Sequence, residues 1–130
     1  MKSVKLLVCA LALVAVAGTA QAAGDAAAGK AFYDKEHAGN KYATSAGVAA
    51  VGCVSCHGAN PKSETKHIKT GKMSGPMAAS AGWVDPKTGS KRFANAKKVA
   101  KWFKRNCKGV LGRECTATEK ANFIAYLKSQ

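Results

Sequence analysis

Residues 51–60 read VGCVSCHGAN, and the run Cys53-Val54-Ser55-Cys56-His57 constrains how everything around it folds. Two thiols two residues apart, followed at once by an imidazole, form the C-x-x-C-H spacing of haem attachment. Two thioethers anchor the porphyrin, and the next residue presents its ring to the iron. Three side chains converge on one flat macrocycle only if the segment forms a short helix. A zinc centre needs a second ligand pair of similar spacing, and none is visible. A thioredoxin-like redox pair needs a βαβ setting, which the chain lacks. The motif therefore calls for one covalent haem c, with its iron, bonded to Cys53 and Cys56 and ligated by His57.

Upstream, Gly24 to Tyr33 reads GDAAAGKAFY. Asp25 is a capping residue and the alanines favour helix, so a first helix is expected through about Lys35. Residues 38 to 52 are rich in Gly, Ala and Ser and read as a loop leading to Cys53. Downstream, the stretch from Gly58 to Gly89 carries the three prolines and shows no sustained period, which predicts wrapping loop with at most one helical turn. From Asn95 to Asn106, Val99, Trp102, Phe103 and Asn106 recur at helical spacing, an amphipathic helix with lysine on its other face. Thr116-Ala117-Thr118-Glu119 is a capping-box pattern opening a last helix through Phe123, Ile124 and Leu127. No segment reads as a strand of useful length, and the class is all-α.

At the N-terminus, Lys2 and Lys5 precede an unbroken apolar run from Leu6 to Ala17 and a small-residue site at Ala20-Gln21-Ala22. The run is too short to span a bilayer. The layout is that of a secretory signal peptide, cleaved after Ala22, which leaves residues 23–130 as one domain delivered to the periplasm. The formal charge is +14, of which Lys2 and Lys5 account for two units, so +12 remains after cleavage. The lysines lie scattered along the chain, and an exported protein meets little nucleic acid. The excess charge suits an acidic protein partner, or serves solubility. Cys9 leaves with the signal, and four cysteines remain.

Around this motif the chain resembles the class I cytochromes c, which fold three to five helices about one haem with the first and last helices crossed. Gly29 and Phe32 match the crossing residues of the first helix, and Tyr126-Leu127 those of the last. Gly75-Pro76 resembles the family's Gly-Pro turn, whose Pro76 carbonyl would accept the Nδ1–H of His57 and fix the ring. As residues, Gly75-Pro76 also read as an ordinary turn. For the other face of the iron there are four candidates: Met73, Met77, His67 and Asn106. Met77 follows the turn, on the side of His57, and Met73 lies in the same stretch; both read as packing or as ligands. His67 and His37 have polar, lysine-rich neighbours and read as solvated loop histidines. Asn106 lies on the stripe of Trp102 and Phe103, and reads either as a ligand or, with Gly109 close by, as a helix C-cap.

Residues 105–127 read RNCKGVLGRECTATEKANFIAYL, and this stretch closely resembles the sphaeroides haem protein family, SHP, and its relative cytochrome c double prime. The likeness reaches back through Lys91-Arg92-Phe93 and Thr70-Gly71-Lys72 to the haem motif. In SHP an asparagine just before the first of two disulfide-bonded cysteines ligates ferric haem, which points to Asn106 and to a Cys107–Cys115 bridge. Met77 departs from the leucine usual in SHP. The resemblance implies that Asn106 leaves on reduction, so that ferrous haem binds O2, NO or CO in a pocket lined by Val99, Trp102 and Phe103. It also implies a dihaem cytochrome c or another acidic electron donor, together with a membrane b-type cytochrome. Whether the reduced protein holds a gas or reduces oxygen or nitric oxide stays open. Lys72 and Arg92, in family-like segments, are candidates for the haem propionates. The alternative is a plain electron-transfer cytochrome with Met77 or Met73 as sixth ligand.

Overall fold

Asp25 starts the first helix as its side chain predicts, accepting from the backbone N–H groups of Ala27 at 2.8 Å and Ala28 at 3.2 Å. The structure, a computed structural model, describes residues 23–84 and 86–130, without the side chain of Arg92. The expected signal at residues 1–22 and its cleavage site lie outside the described residues. Helix α1 spans Ala26–Asp34 and the last helix, α6, Ala117–Lys128; these two pack across each other. Gly29 makes the crossing, because a Cβ there would run into the Asn122 carbonyl and lie 2.8 Å from Tyr126 Cβ. Asp25 N–H donates to Asn122 Oδ1 at 2.8 Å beside it. Phe32 meets Phe123 edge-on at 6.1 Å, and Tyr33 packs on Phe123 and Tyr126. Tyr126 and Leu127 are buried, as a crossing pair must be.

The capping box that opens α6 is complete. Thr116 Oγ1 accepts from Glu119 N–H at 3.1 Å, and Glu119 accepts from Thr116 N–H at 2.8 Å. Arg113 adds two guanidinium bonds to the same carboxylate, at 2.9 and 2.6 Å. The Arg113 bonds lead the causes that hold Glu119 down to about 2. A depressed carboxylate stabilises the fold above its unfolded value near 4.5 and loses that contribution as pH falls toward 2. Glu119→Gln is therefore expected to flatten the acid limb of a melting-temperature profile between about pH 4.5 and 2. An unchanged acid limb in the variant would show that Glu119 does not carry it.

Between the two terminal helices the motif helix α3 (Cys53–His57), a one-turn helix α4 (Ala79–Gly82), a 3-10 turn (Arg92–Ala94) and α5 (Ala96–Leu111) follow in order. Residues 38–52 differ from the loop expected. They contain α2 (Lys41–Ala46) between β1 (His37–Ala38) and β2 (Ala50–Val51), which pair antiparallel. Asn40 caps α2 by accepting from Ala43 N–H at 2.8 Å, and Gly47 ends it with φ 70°. A six-residue helix of small side chains shows no apolar period, and its anchor, Tyr42, becomes meaningful only against Gly109 of α5. A Cβ at Gly109 would run into the Tyr42 ring.

For the same reason α5 does not stop at Asn106. It continues through Gly109 to Leu111 and ends where Gly112 takes φ 71°, so the C-cap reading of Asn106 fails. A second ladder, β3 (Thr65–Lys66) with β4 (Met73–Ser74), folds part of the wrapping segment back on itself. The strands among the described residues are two residues long, and the all-α class holds. The helices number six there, above the three to five expected, because α2 and α4 are added.

Candidate haem site

Helix α3 is held at both ends by its surroundings. The Ser55 hydroxyl accepts from Gly52 N–H at 2.9 Å and donates to Glu36 Oε1 at 2.6 Å. At the other end Gly58 N–H bonds the Val54 carbonyl at 2.7 Å, Tyr33 donates its hydroxyl to the Gly58 carbonyl at 2.7 Å, and Thr65 Oγ1 donates to the Cys56 carbonyl at 2.9 Å. Cys53, Cys56 and His57 thereby share one wall of a cavity of about 510 Å³. That volume falls within the roughly 300–1,000 Å³ of cofactor pockets.

Neither thiol is in a disulfide, and burial pushes Cys53 up to about 12. Burial also raises Cys56, opposed by the Ile68 N–H. A redox-active C-x-x-C pair needs a depressed thiol, so this environment is wrong for thiol exchange. Burial, and then the charge of His67, lowers His57 and keeps its imidazole neutral, the form that binds metal. Its Nδ1 is buried and has no hydrogen-bond partner. The expected bond to Pro76 is not made. The Pro76 carbonyl accepts from Ala79 N–H at 3.2 Å, in the turn that leads into α4, and Pro76 is absent from the cavity wall. Paired free thiols, a neutral imidazole and a cavity of this size fit a haem.

Helix α5 adds Trp102, Phe103, Asn106, Cys107 and Val110 to the wall. These follow the i, i+3, i+4 face of one helix. Asn106 is half-buried, and its carboxamide has no hydrogen-bond partner among the described residues. The next residue, Cys107, is disulfide-bonded to Cys115 with Cα atoms 5.6 Å apart. The bridge ties α5 to the segment that starts α6, and a loop this short contributes about 2.5 kcal/mol in the chain-entropy account.

Comparison with known proteins comes to the same place. The family described as a domain of unknown function, DUF1924, matches residues 19–127. The c-type cytochrome SHP of Cereibacter sphaeroides is 36% identical over 118 residues, which cover 88% of this chain and 81% of that protein. The chain belongs to the SHP family. Cytochrome c'' of Methylophilus methylotrophus is 39% identical over 102 residues, 78% of this chain, though the match spans only 62% of that longer protein. Among solved structures, oxidised SHP, an oxygen-binding cytochrome c, superposes with a TM-score of 0.63 at 36% identity over 82% of this chain and 83% of that one. Oxidised cytochrome c'' gives 0.60 at 35% identity, over 81% and 75%. Like its SHP relatives, the protein is a c-type cytochrome with covalently bound haem c.

Within this SHP-family fold the remaining expected site residues divide. Met77 is buried and lines the cavity, whereas Met73 in β4 is 65% exposed and does not. The Pro61 carbonyl accepts from Ala78 N–H at 2.8 Å, which holds Met77 to the chain just after His57. Val99 packs against the core cluster and does not reach the cavity, because it lies a full turn before the lining face of α5. Lys72 is exposed and off the cavity, since the β3–β4 turn carries it outward; Lys41, Lys69 and Arg105 are the cations on the wall. Arg92 belongs to the 3-10 turn, and its side chain lies outside the described residues.

The two loop histidines are not simply solvated. Both line the cavity: His67 Nδ1 accepts from Lys69 and Thr70 N–H at 3.2 and 3.3 Å, and His37 Nε2 is buried without a partner. Burial, then Lys35 and Arg113, lowers His37. His37 belongs to β1 and His67 opens the turn that follows β3, where its N–H donates to the Lys72 carbonyl at 2.9 Å, and no local sequence signal announces ladders so short.

Proposed function

We propose that this is an exported monohaem cytochrome c whose Asn106 carboxamide ligates ferric iron and leaves on reduction, so that a diatomic gas, O2, NO or CO, can occupy the sixth position. The observation that carries it is the unpartnered Asn106 amide on the cavity wall. The amide is half-buried on that wall and no described residue bonds it, so it is free to meet a group held in the cavity. Haem c, when bound, would supply a one-electron redox centre whose iron takes ligands from this chain. Cys53 and Cys56 hold its edge, and neutral His57 gives the permanent ligand. Asn106 gives the conditional one, because a carboxamide is a hard oxygen or nitrogen donor that suits iron(III) and competes poorly for iron(II). Trp102 and Phe103, edge to face at 5.1 Å, line the same cavity as Asn106 and would make the surroundings of a vacated position apolar. The released amide can donate a hydrogen bond to a polar diatomic guest, which favours O2 over CO.

The single C-x-x-C-H motif supports one haem, and the apolar leader supports export to the periplasm with cleavage after Ala22. Support for gas binding comes from SHP, described as an oxygen-binding cytochrome c, and for ligand release from cytochrome c'', described in terms of haem-ligand detachment. The reducing electron comes from an acidic partner such as a dihaem cytochrome, itself served by a membrane b-type cytochrome. A second reading, a plain electron carrier, is favoured by buried Met77 on the cavity wall. Absorption spectra of the dithionite-reduced holoprotein with and without CO separate the two. The Asn106 account expects a large spectral change on adding CO, and a low-spin spectrum indifferent to CO would select Met77.

A further inference from the structure

Helix α5 holds six cations, Lys97, Lys98, Lys101, Lys104, Arg105 and Lys108, and no acid in its 16 residues. The lysines are thus not evenly scattered: Lys97, Lys101, Lys104 and Lys108 recur at three- and four-residue steps, which places them on one face. Lys101, Lys104, Arg105 and Lys108 join Lys41 and Tyr42 of α2 around a groove of about 350 Å³. The groove exists because Gly109 lets the Tyr42 ring lie against the α5 backbone. Lys108 pairs with Glu114 at 3.4 Å, but no carboxylate among the described residues pairs with Lys41, Lys101, Lys104 or Arg105.

Like charges so close together, left without local counter-charges, repel one another and focus a positive potential in the concavity between them. The groove also has a particular neighbour. Lys41, Tyr42 and Arg105 line both it and the haem cavity, so a single layer of side chains separates the two.

We propose that the groove between α2 and α5 is the docking surface for an acidic redox protein that reduces the haem. One electron leaves the reduced centre of that donor, which is oxidised by one unit, and ferric iron becomes ferrous; no bond to the donor forms. The inference rests on the proposed function only in that a protein donor is required. Charge complementarity and the shared wall favour a protein over a lipid surface. A lipid surface would need large apolar side chains among the lysines, and Val48, Ile68, Met73, Trp83 and Val84, the exposed large hydrophobics, do not line the groove.

The test is stopped-flow reduction of the ferric holoprotein by reduced flavodoxin, an acidic one-electron donor, as a function of ionic strength. Lys101→Glu with Lys104→Glu alters the groove. Lys62→Glu with Lys120→Glu makes the same charge change on residues that line neither cavity. At low salt the groove variant is expected to slow reduction about tenfold or more relative to the control variant, with the difference vanishing near 1 M salt. Equal rates for the two variants would overturn the docking surface and leave only net charge. Sedimentation with phosphatidylglycerol vesicles supplies the remaining arm: binding lost in the groove variant while its flavodoxin rate stays at the control level would make the groove a lipid surface and contradict the proposal. Dithionite reduction followed by CO reports the gas-binding function separately in every variant, so either account can fail alone.

Discussion

With Asn106 replaced by alanine, the oxidised protein is expected to lose its low-spin absorption and become high-spin almost completely, while the reduced protein keeps its CO complex. The side chain projects from the middle of α5, five residues short of the helix end, so its removal breaks no cap. It has no hydrogen-bond partner among the described residues, so truncating it leaves no protein group unpaired. Stability should therefore change little, within about 1 kcal/mol. The combination of a large spectral change with an intact fold marks a ligand and not a packing residue. Ferric spectra that survive the substitution would remove Asn106 from the coordination sphere, and Met77 would be the next residue to change.

The largest stability loss is expected at Phe123. Its side chain is 2% exposed and meets four rings, those of Phe32, Tyr33, Trp102 and Phe103, at centroid distances from 5.7 to 6.3 Å. It joins the α1–α6 crossing to the face of α5 that lines the cavity. Phe123→Ala should cost about 3–5 kcal/mol in a denaturant titration of the holoprotein, since the surrounding rings belong to two different helices, α1 and α5, and cannot collapse together. A loss below about 1 kcal/mol would mean that the ring cluster repacks freely. Because Phe123 also lines the cavity, the variant should show altered haem absorption even where it remains folded.

How much of this was legible in the sequence follows from where each signal is stored. The Cys53–His57 spacing, the Asp25 cap and the Thr116–Glu119 box are local patterns or short motifs, and the structure shows each element where the pattern puts it; the Gly29 crossing came from family likeness, and the structure shows it too. The α2 segment was invisible because its stabilising contact, Tyr42 against Gly109, joins residues 67 positions apart. Gly109 read locally as a helix terminator, and that same contact explains why it lies inside α5. His37 and His67 lie in or beside two-residue ladders whose partners are distant from any hydrophobic period. Val99 shows the limit of helical periodicity: it lies on the apolar stripe, yet the stripe is longer than the cavity it borders. The Pro76 carbonyl was assigned to His57 by family likeness, but Pro76 lies off the cavity wall and His57 Nδ1 has no hydrogen-bond partner.

The account turns on the coordination of one residue in two oxidation states, and resonance Raman spin-state and coordination markers on a single sample, recorded before and after dithionite, measure it directly. The expected result is six-coordinate low-spin iron when oxidised and five-coordinate high-spin iron when reduced. Six-coordinate low-spin iron in both states would contradict it.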